Sequence, residues 1–270
     1  MKSWVFQSVG TLALAASLGP AAAADLPVKA RPQAAAIYDW SGFYVGVHGG
    51  GGWGRKDISA PSFPFGAAVI TPAASSNNIS GWLAGGQIGY NFQGGPGPFG
   101  GRWVIGGEAQ ASWSRLDDTV ACSAVVTIPG LGALPLNVNC SSKVDSLGTI
   151  ALRFGSAFDR TLIYSKVGAA WTHDKYQDDV TTPAFAPLSF VGSETRWGWM
   201  VGAGIEYAFG NNWSGKIEYN YLDLGTETVR YSSVAPAPSA FVDASIRERV
   251  QVVKVGVNFH FGAGAVAAKY

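Results

Sequence analysis

Charge is scarce in this chain: Asp, Glu, Lys and Arg make up 14% of its 270 residues, and the two signs nearly cancel, at 19 Lys and Arg against 18 Asp and Glu. So even a balance gives no electrostatic basis for a nucleic-acid partner. Histidine is limited to three positions and cysteine to two. No histidine or second cysteine pair stands near Cys122 and Cys140 at ligand spacing, which disfavours a metal centre. After Trp40 no apolar run is long enough to read as a membrane helix. Yet 47% of the residues are hydrophobic and 13% aromatic, which excludes disorder and predicts one domain with a large core. The 36 Gly and 10 Trp, beside only two Met, fit closely packed strands and interfacial aromatics better than helices.

The front of the chain differs from the rest. Met1-Lys2, an apolar run through Val9, Leu12, Leu14 and Leu18, and the small residues Ala21 to Ala24 form the pattern of a secretory signal peptide over residues 1–24, cleaved after Ala23 or Ala24. The apolar run is too short to span a membrane, and no cysteine follows the cleavage site to carry a lipid anchor. Loss of Lys2 leaves 18 basic against 18 acidic residues. Export places Cys122 and Cys140 in an oxidising compartment, where a disulfide between them is expected. Residues 25–39, with Pro27 and Pro32, are expected as a loose periplasmic arm.

From Trp40 onward the recurring pattern is alternation, the mark of strands with two unlike faces. Trp197, Trp199, Val201, Ala203, Ile205, Tyr207 and Phe209 alternate with small or charged residues, and Val253, Val255, Val257, Phe259 and Phe261 alternate with Lys254, Gly256, Asn258 and His260. About eight such runs can be traced: 42–55, 79–92, 103–116, 144–158, 162–174, 195–209, 213–224 and 247–261. The fourth and fifth are the weakest, because Leu147 and Ser165 break the alternation. Short connections at 94–101, 159–160 and 210–212 alternate with long ones at 56–78, 117–143, 175–194 and 225–246. The predicted fold is all-β, an eight-stranded antiparallel up-and-down transmembrane β-barrel over residues 40–261. Its short turns would be periplasmic, its four long loops extracellular and both termini periplasmic, with a tail at 262–270.

Aromatic spacing gives an independent sign of lipid. Phe43 and Trp53, Trp82 and Phe92, Trp103 and Trp113, and Trp199 and Phe209 are four pairs on the apolar phase, each ten residues apart. Ten residues of strand tilted by about 40° rise on the order of 25 Å, the height of the apolar band of such a barrel. These eight side chains are expected to form two girdles. The opposite phase, facing the lumen, carries His48, Glu108, Gln110, Arg153, Lys166, Glu206, Lys216, Glu218, Lys254 and His260. An eight-stranded barrel is just wide enough to be filled by its own side chains, so this cluster reads first as a polar core and second as a narrow channel. The inward glycines weigh toward the channel, because glycine does not fill space. Gly49 to Gly52 is no phosphate loop, since no helix start follows it.

With these features the chain resembles the small outer-membrane barrels of alphaproteobacteria, the outer-membrane immunogenic or porin-opacity-type proteins. The residues that carry the resemblance are Ala23-Ala24-Asp25-Leu26-Pro27, Trp40-Ser41-Gly42-Phe43-Tyr44-Val45-Gly46, Gly85-Gly86-Gln87-Ile88-Gly89-Tyr90 and a final strand ending in Phe259 and Phe261. The resemblance implies a barrel in the outer membrane of a Gram-negative bacterium that supports the envelope and shows its loops to the environment. It also implies that the aromatic strand end acts as the assembly signal, although here Gly262 to Tyr270 follows it. Haem binding or host contact has been proposed for similar proteins, but no residue here matches a haem motif.

The expected role is therefore structural and interactive. A narrow porin comes second, and a loop-borne receptor for haem or a host surface third. Expected partners are outer-membrane lipid and lipopolysaccharide, the barrel-assembly machinery during biogenesis, and a host or environmental ligand at the loops. No cofactor is expected. Catalysis is disfavoured because His173 has Thr172 and Asp174 as neighbours that, on a strand, face away from it.

Overall fold

The computed structural model describes residues 37–98, 100–182, 185–234, 241–262 and 265–266. The expected signal peptide, most of the expected arm and most of the tail lie outside them. The described elements are β1 (Ile37–Tyr38), β2 (Gly42–Ser59), β3 (Phe63–Phe65), β4 (Ala68–Pro72), β5 (Ser75–Pro96), β6 (Arg102–Ile128), β7 (Gly132–Phe158), β8 (Thr161–Thr182), β9 (Phe185–Ala208), β10 (Trp213–Ser233), β11 (Phe241–His260) and β12 (Ala265–Val266). Eight long strands, β2, β5 to β11, pair with their chain neighbours in antiparallel register. The ring closes where β11 pairs with β2 from His260↔Tyr44 to Ser245↔Ser59. Closure leaves no open edge among these strands, which is what a sheet immersed in hydrocarbon requires.

Alternation fixes which side chain faces where. Adjacent residues on β2 part company completely: Phe43 is 60% exposed and Tyr44 fully buried. The exposed set is bulky and apolar, including Val47, Ile88, Ile105, Ile150, Val167, Ile205, Ile217 and Val255. A continuous coat of this kind far exceeds the apolar patch a monomer tolerates in water, and it matches a lipid solvent. Tight turns join the strands at one rim, with Gly97 N–H donating to the Gly101 carbonyl at 2.9 Å and Asp159 at a positive φ of 53°.

At the other rim the strands run well past the ends traced from sequence. Residues 117–143, expected as a long loop, form one hairpin ladder from Asp117↔Lys143 to Ile128↔Gly132. Segments 175–182 and 185–194 pair likewise, as do 226–232 and 241–247. The β3–β4 hairpin fills part of the interval 56–78, with β4 paired to the outer half of β6. Two irregularities hid these extensions. Asp145 is an extra residue between Val144↔Asp174 and Ser146↔His173, so the inward phase switches from Val144 to Leu147. Leu224 and Gly225, the latter with φ of 68°, bulge between Asp223↔Arg249 and Thr226↔Arg247 and switch the phase of β10 in the same way.

The chain ends close the narrow rim. The expected arm is not loose in its last residues: Ile37 pairs with Val266 and Tyr38 with Ala265. Trp40 is completely buried, its backbone N–H donating to Gln93 Oε1 at 2.8 Å. Tyr38, Trp40, Val104, Ala157, Leu162, Tyr164 and Ala208 pack together across that end of the barrel.

Candidate functional site

The lumen is stacked in layers, and the sequence-predicted polar residues meet in the first one above the Trp40 end. Glu108 receives Lys166 at 2.6 Å, Lys216 at 3.1 Å and Arg153 at 3.5 Å. Glu218 receives Lys166 at 3.1 Å, Lys254 at 3.2 Å and Lys216 at 3.3 Å. Glu206 binds Arg153 at 2.7 Å and also accepts from Asn258 at 2.6 Å and Ser214 at 2.5 Å. His260 Nε2 stands 3.2 Å from the same carboxylate. Every one of these charged groups is essentially inaccessible to solvent. Such a cluster is tolerable when its charges are paired and most remaining bonds are filled. Each carboxylate here meets at least one cation, and one positive charge is left in excess. Arg153 Nε and His260 Nδ1 are the network's charged-group nitrogens without a hydrogen bond among the described residues.

Several members of this network were not predicted. Tyr44 Oη donates to Glu108 at 2.8 Å and accepts from Arg153 at 2.6 Å, while Tyr164 Oη donates to Glu218 at 2.9 Å. The Arg153 guanidinium lies 3.9 Å from the centre of the Tyr164 ring. His48 joins through amides: its Nδ1 pairs with Gln87, Gln87 donates to Asn258 at 2.6 Å, and Asn258 reaches Glu206. Gln110 donates to both Glu108 and Glu218 and receives Lys254. Tyrosine on an inward phase reads as an apolar interruption in sequence, which conceals its polar end.

Above the network an apolar belt crosses the whole lumen, built from Ile79, Leu83, Leu116, Val144, Leu147, Ala151, Ala170, Met200, Leu222, Leu224, Val250 and Val252. Leu147, which breaks the alternation in sequence, does so because it belongs to this belt. A second and smaller ionic layer follows, unpredicted from sequence. Lys56 binds Asp174 at 2.6 Å and Glu248 at 3.3 Å, and Arg196 lies 3.6 Å from Asp174 and 3.7 Å from Glu248. Past it the inward side chains turn apolar again, around Val126, Leu136, Phe190, Tyr231 and Ile246.

On the outer wall Phe43, Trp53, Trp82, Phe92, Trp103, Trp113, Trp199 and Phe209 all face away from the lumen. Cross-strand rings touch at both levels: Phe43 with Tyr90, Phe92 with Trp103, and Trp199 with Tyr221, at 4.8, 5.5 and 5.7 Å between centres. Phe259 stands between Trp213 and Phe261 at 5.1 and 5.2 Å, at the closing seam. Cys122 and Cys140 are bonded across β6 and β7, with 5.9 Å between their Cα atoms. They staple the extended hairpin, where the sequence reading placed a loop. His173 faces outward and pairs with Thr195 at 2.9 Å, whereas Asp174 points inward to Lys56.

A closed antiparallel barrel with a lipid-matched wall and a polar interior is an outer-membrane-type β-barrel. The chain belongs to the outer membrane protein beta-barrel domain family, whose model matches residues 11–261. It is similar to the 31 kDa outer-membrane immunogenic protein of Brucella melitensis, 28% identical over 266 residues that span 97% of this chain and 100% of that protein. It is also similar to the 25 kDa outer-membrane immunogenic protein of Brucella abortus, 25% identical over 97% of this chain and 99% of that one. Among solved structures, OprG from Pseudomonas aeruginosa is matched over 83% of this chain and 98% of its own, at 15% identity and a TM-score of 0.41. Neisserial surface protein A is matched over 82% and 98%, at 13% identity and a TM-score of 0.36. The protein is thus an outer-membrane barrel of a Gram-negative bacterium, of the alphaproteobacterial immunogenic kind.

Proposed function

We propose that this protein is a filled, non-conducting barrel that supports the envelope and carries a rigid, surface-exposed β-collar. The observation that carries this reading is the apolar belt around Leu116, Met200 and Leu222, which separates two buried ionic layers. A hydrated ion crossing the belt would shed water with no charged group to replace it, a cost of several kcal/mol or more. The small-solute channel gains no comparable support. Just beyond Trp53 and His173, Arg55 and Arg249 share Asp57 and Lys143 and Lys175 share Asp145, so each cluster keeps one positive charge in excess, which suits contact with lipopolysaccharide phosphates.

The role is non-enzymatic in this reading. His48 and His260 are bound within the lumen, and His173 has no acid behind it because Asp174 serves Lys56. The haem reading gains nothing from these histidines. The collar, stapled by Cys122–Cys140, is the part that meets the environment, in keeping with relatives named as immunogenic. Planar bilayer recording of the refolded protein is the test: no steps above background are expected, and stable conductance steps would overturn the reading.

A further inference from the structure

Seven residues beyond Trp171, where β8 has left the lipid-facing zone, Asp178 points toward the mouth of the barrel. It lines a cavity of about 90 Å³ enclosed by the β3–β4 hairpin and the outer ends of the strands. The walls are otherwise mostly apolar, with Ile70, Ala124, Val138, Phe190 and Ala244 among them. Deeper in the lumen each carboxylate has its cation, as Asp174 and Glu248 have Lys56 and Arg196. Asp178 makes no hydrogen bond or ion pair with any described residue. Its neighbour Asp179 faces the other way and is bonded to Ser189 and Gln177. The inward cations of the layer below, Lys56 and Arg196, are already engaged by Asp174 and Glu248, and Lys56 also lies against the Tyr176 ring.

An uncompensated carboxylate in an apolar wall is complementary to a cation that brings its own apolar body. We propose that the outer mouth of the barrel binds a small alkylammonium, its ammonium on the Asp178 carboxylate and its chain among Ile70, Val138 and Phe190. Size limits the class. A cavity of about 150 Å³ takes benzene, so the smaller space here suits a chain of about four carbons. The site is independent of whether the lumen below conducts, since it lies beyond the belt and both ionic layers.

The test uses the full mature protein in lipid nanodiscs at pH 8, titrated with n-butylammonium and, separately, with 1-butanol as the neutral comparator, followed by saturation-transfer NMR. Saturable binding of n-butylammonium, at least tenfold tighter than of 1-butanol, is expected. Asp178→Asn, nearly isosteric, is expected to weaken it at least tenfold, and Ala244→Leu to abolish it by filling the cavity. Heat-dependent electrophoretic mobility identifies which variants are folded, and if Ala244→Leu is not, Asp178→Asn decides alone. Absence of saturable binding to the parent protein, equal binding of 1-butanol, or unchanged affinity in folded Asp178→Asn would each overturn the proposal.

Discussion

Glu218 meets three of the four cations of the polar layer, and its replacement by glutamine changes charge with almost no change in shape. The layer holds four cations, Arg153, Lys166, Lys216 and Lys254, against three carboxylates, Glu108, Glu206 and Glu218. Glu218→Gln makes the balance four to two. Lys166 and Lys216 keep Glu108, at 2.6 and 3.1 Å, but Lys254 keeps only the Gln110 amide oxygen. Removing one partner of a buried ion pair costs about 3–5 kcal/mol, and that loss is expected in urea unfolding of the barrel refolded into vesicles, read by tryptophan fluorescence. Adding Lys254→Met returns the excess to one positive charge, and the double variant should recover about 1–3 kcal/mol as coupling energy. A Glu218→Gln barrel within about 1 kcal/mol of the parent would mean that water screens these charges. It would refute the dry, filled lumen and restore the channel reading.

Three further outcomes are expected. Trp40→Ala should destabilise the barrel by about 3–5 kcal/mol in the same urea assay, yet leave planar bilayers silent, because the belt closes the lumen independently of Trp40. Reduction of Cys122–Cys140, a bridge across 18 residues, should lower collar stability by about 3 kcal/mol and speed proteolysis near residues 129–131, while the heat-shifted band of the barrel persists. Burial raises the Asp178 carboxyl to about 7, with Asp179 adding to the shift. A raised acid favours the folded collar below its unfolded value near 3.8 and loses that contribution as pH rises through about 7. Protease resistance of the collar should therefore fall between those limits in the parent and stay flat in Asp178→Asn.

The barrel was legible because lipid imposes one rule on one face. Outward positions from Phe43 to Val255 are apolar with few exceptions such as Ser165, whatever the inward ones do, so period two survives changes in composition, and the ten-residue aromatic pairs mark the height of the apolar band. The ten polar residues expected in the lumen were legible for the complementary reason: a polar side chain on a strand otherwise coated with Val, Ile and Trp has only one other side to occupy. The rule ends with the lipid. Past His173 the exposed residues are Lys175 and Gln177 and the buried ones Tyr176 and Val180, so alternation continues with its polarity reversed and reads as loop. The phase shifts at Asp145 and Gly225 deepen that effect. Lys56, Arg196 and Glu248 were missed because they sit near the reversal, where an inward charge no longer contrasts with its surroundings. The burial of Trp40 has no periodic signal at all, since it precedes the first long strand, β2.

Inward glycines, which in sequence argue for empty space, argue the opposite once their neighbours are known. A Cβ on Gly89 would collide with the Tyr44 ring, and one on Gly204 with the Tyr164 hydroxyl. The hydroxyl ends of those two rings occupy the space over the glycines, and from there the hydroxyls reach Glu108 and Glu218. Glycine on one strand is thus the condition for the inward tyrosine paired with it on the next, Tyr44 with Gly89 and Tyr164 with Gly204, and the tyrosines in turn anchor the carboxylates that hold Arg153 and the lysines. At Gly46 the space is taken by the Asn258 and Gln87 amides, the same groups that link His48 to Glu206. Polar network and glycine pattern are therefore one packing solution, and a solution of that kind fills an eight-stranded lumen instead of opening it. Selection for passage of solutes would not be expected to keep both.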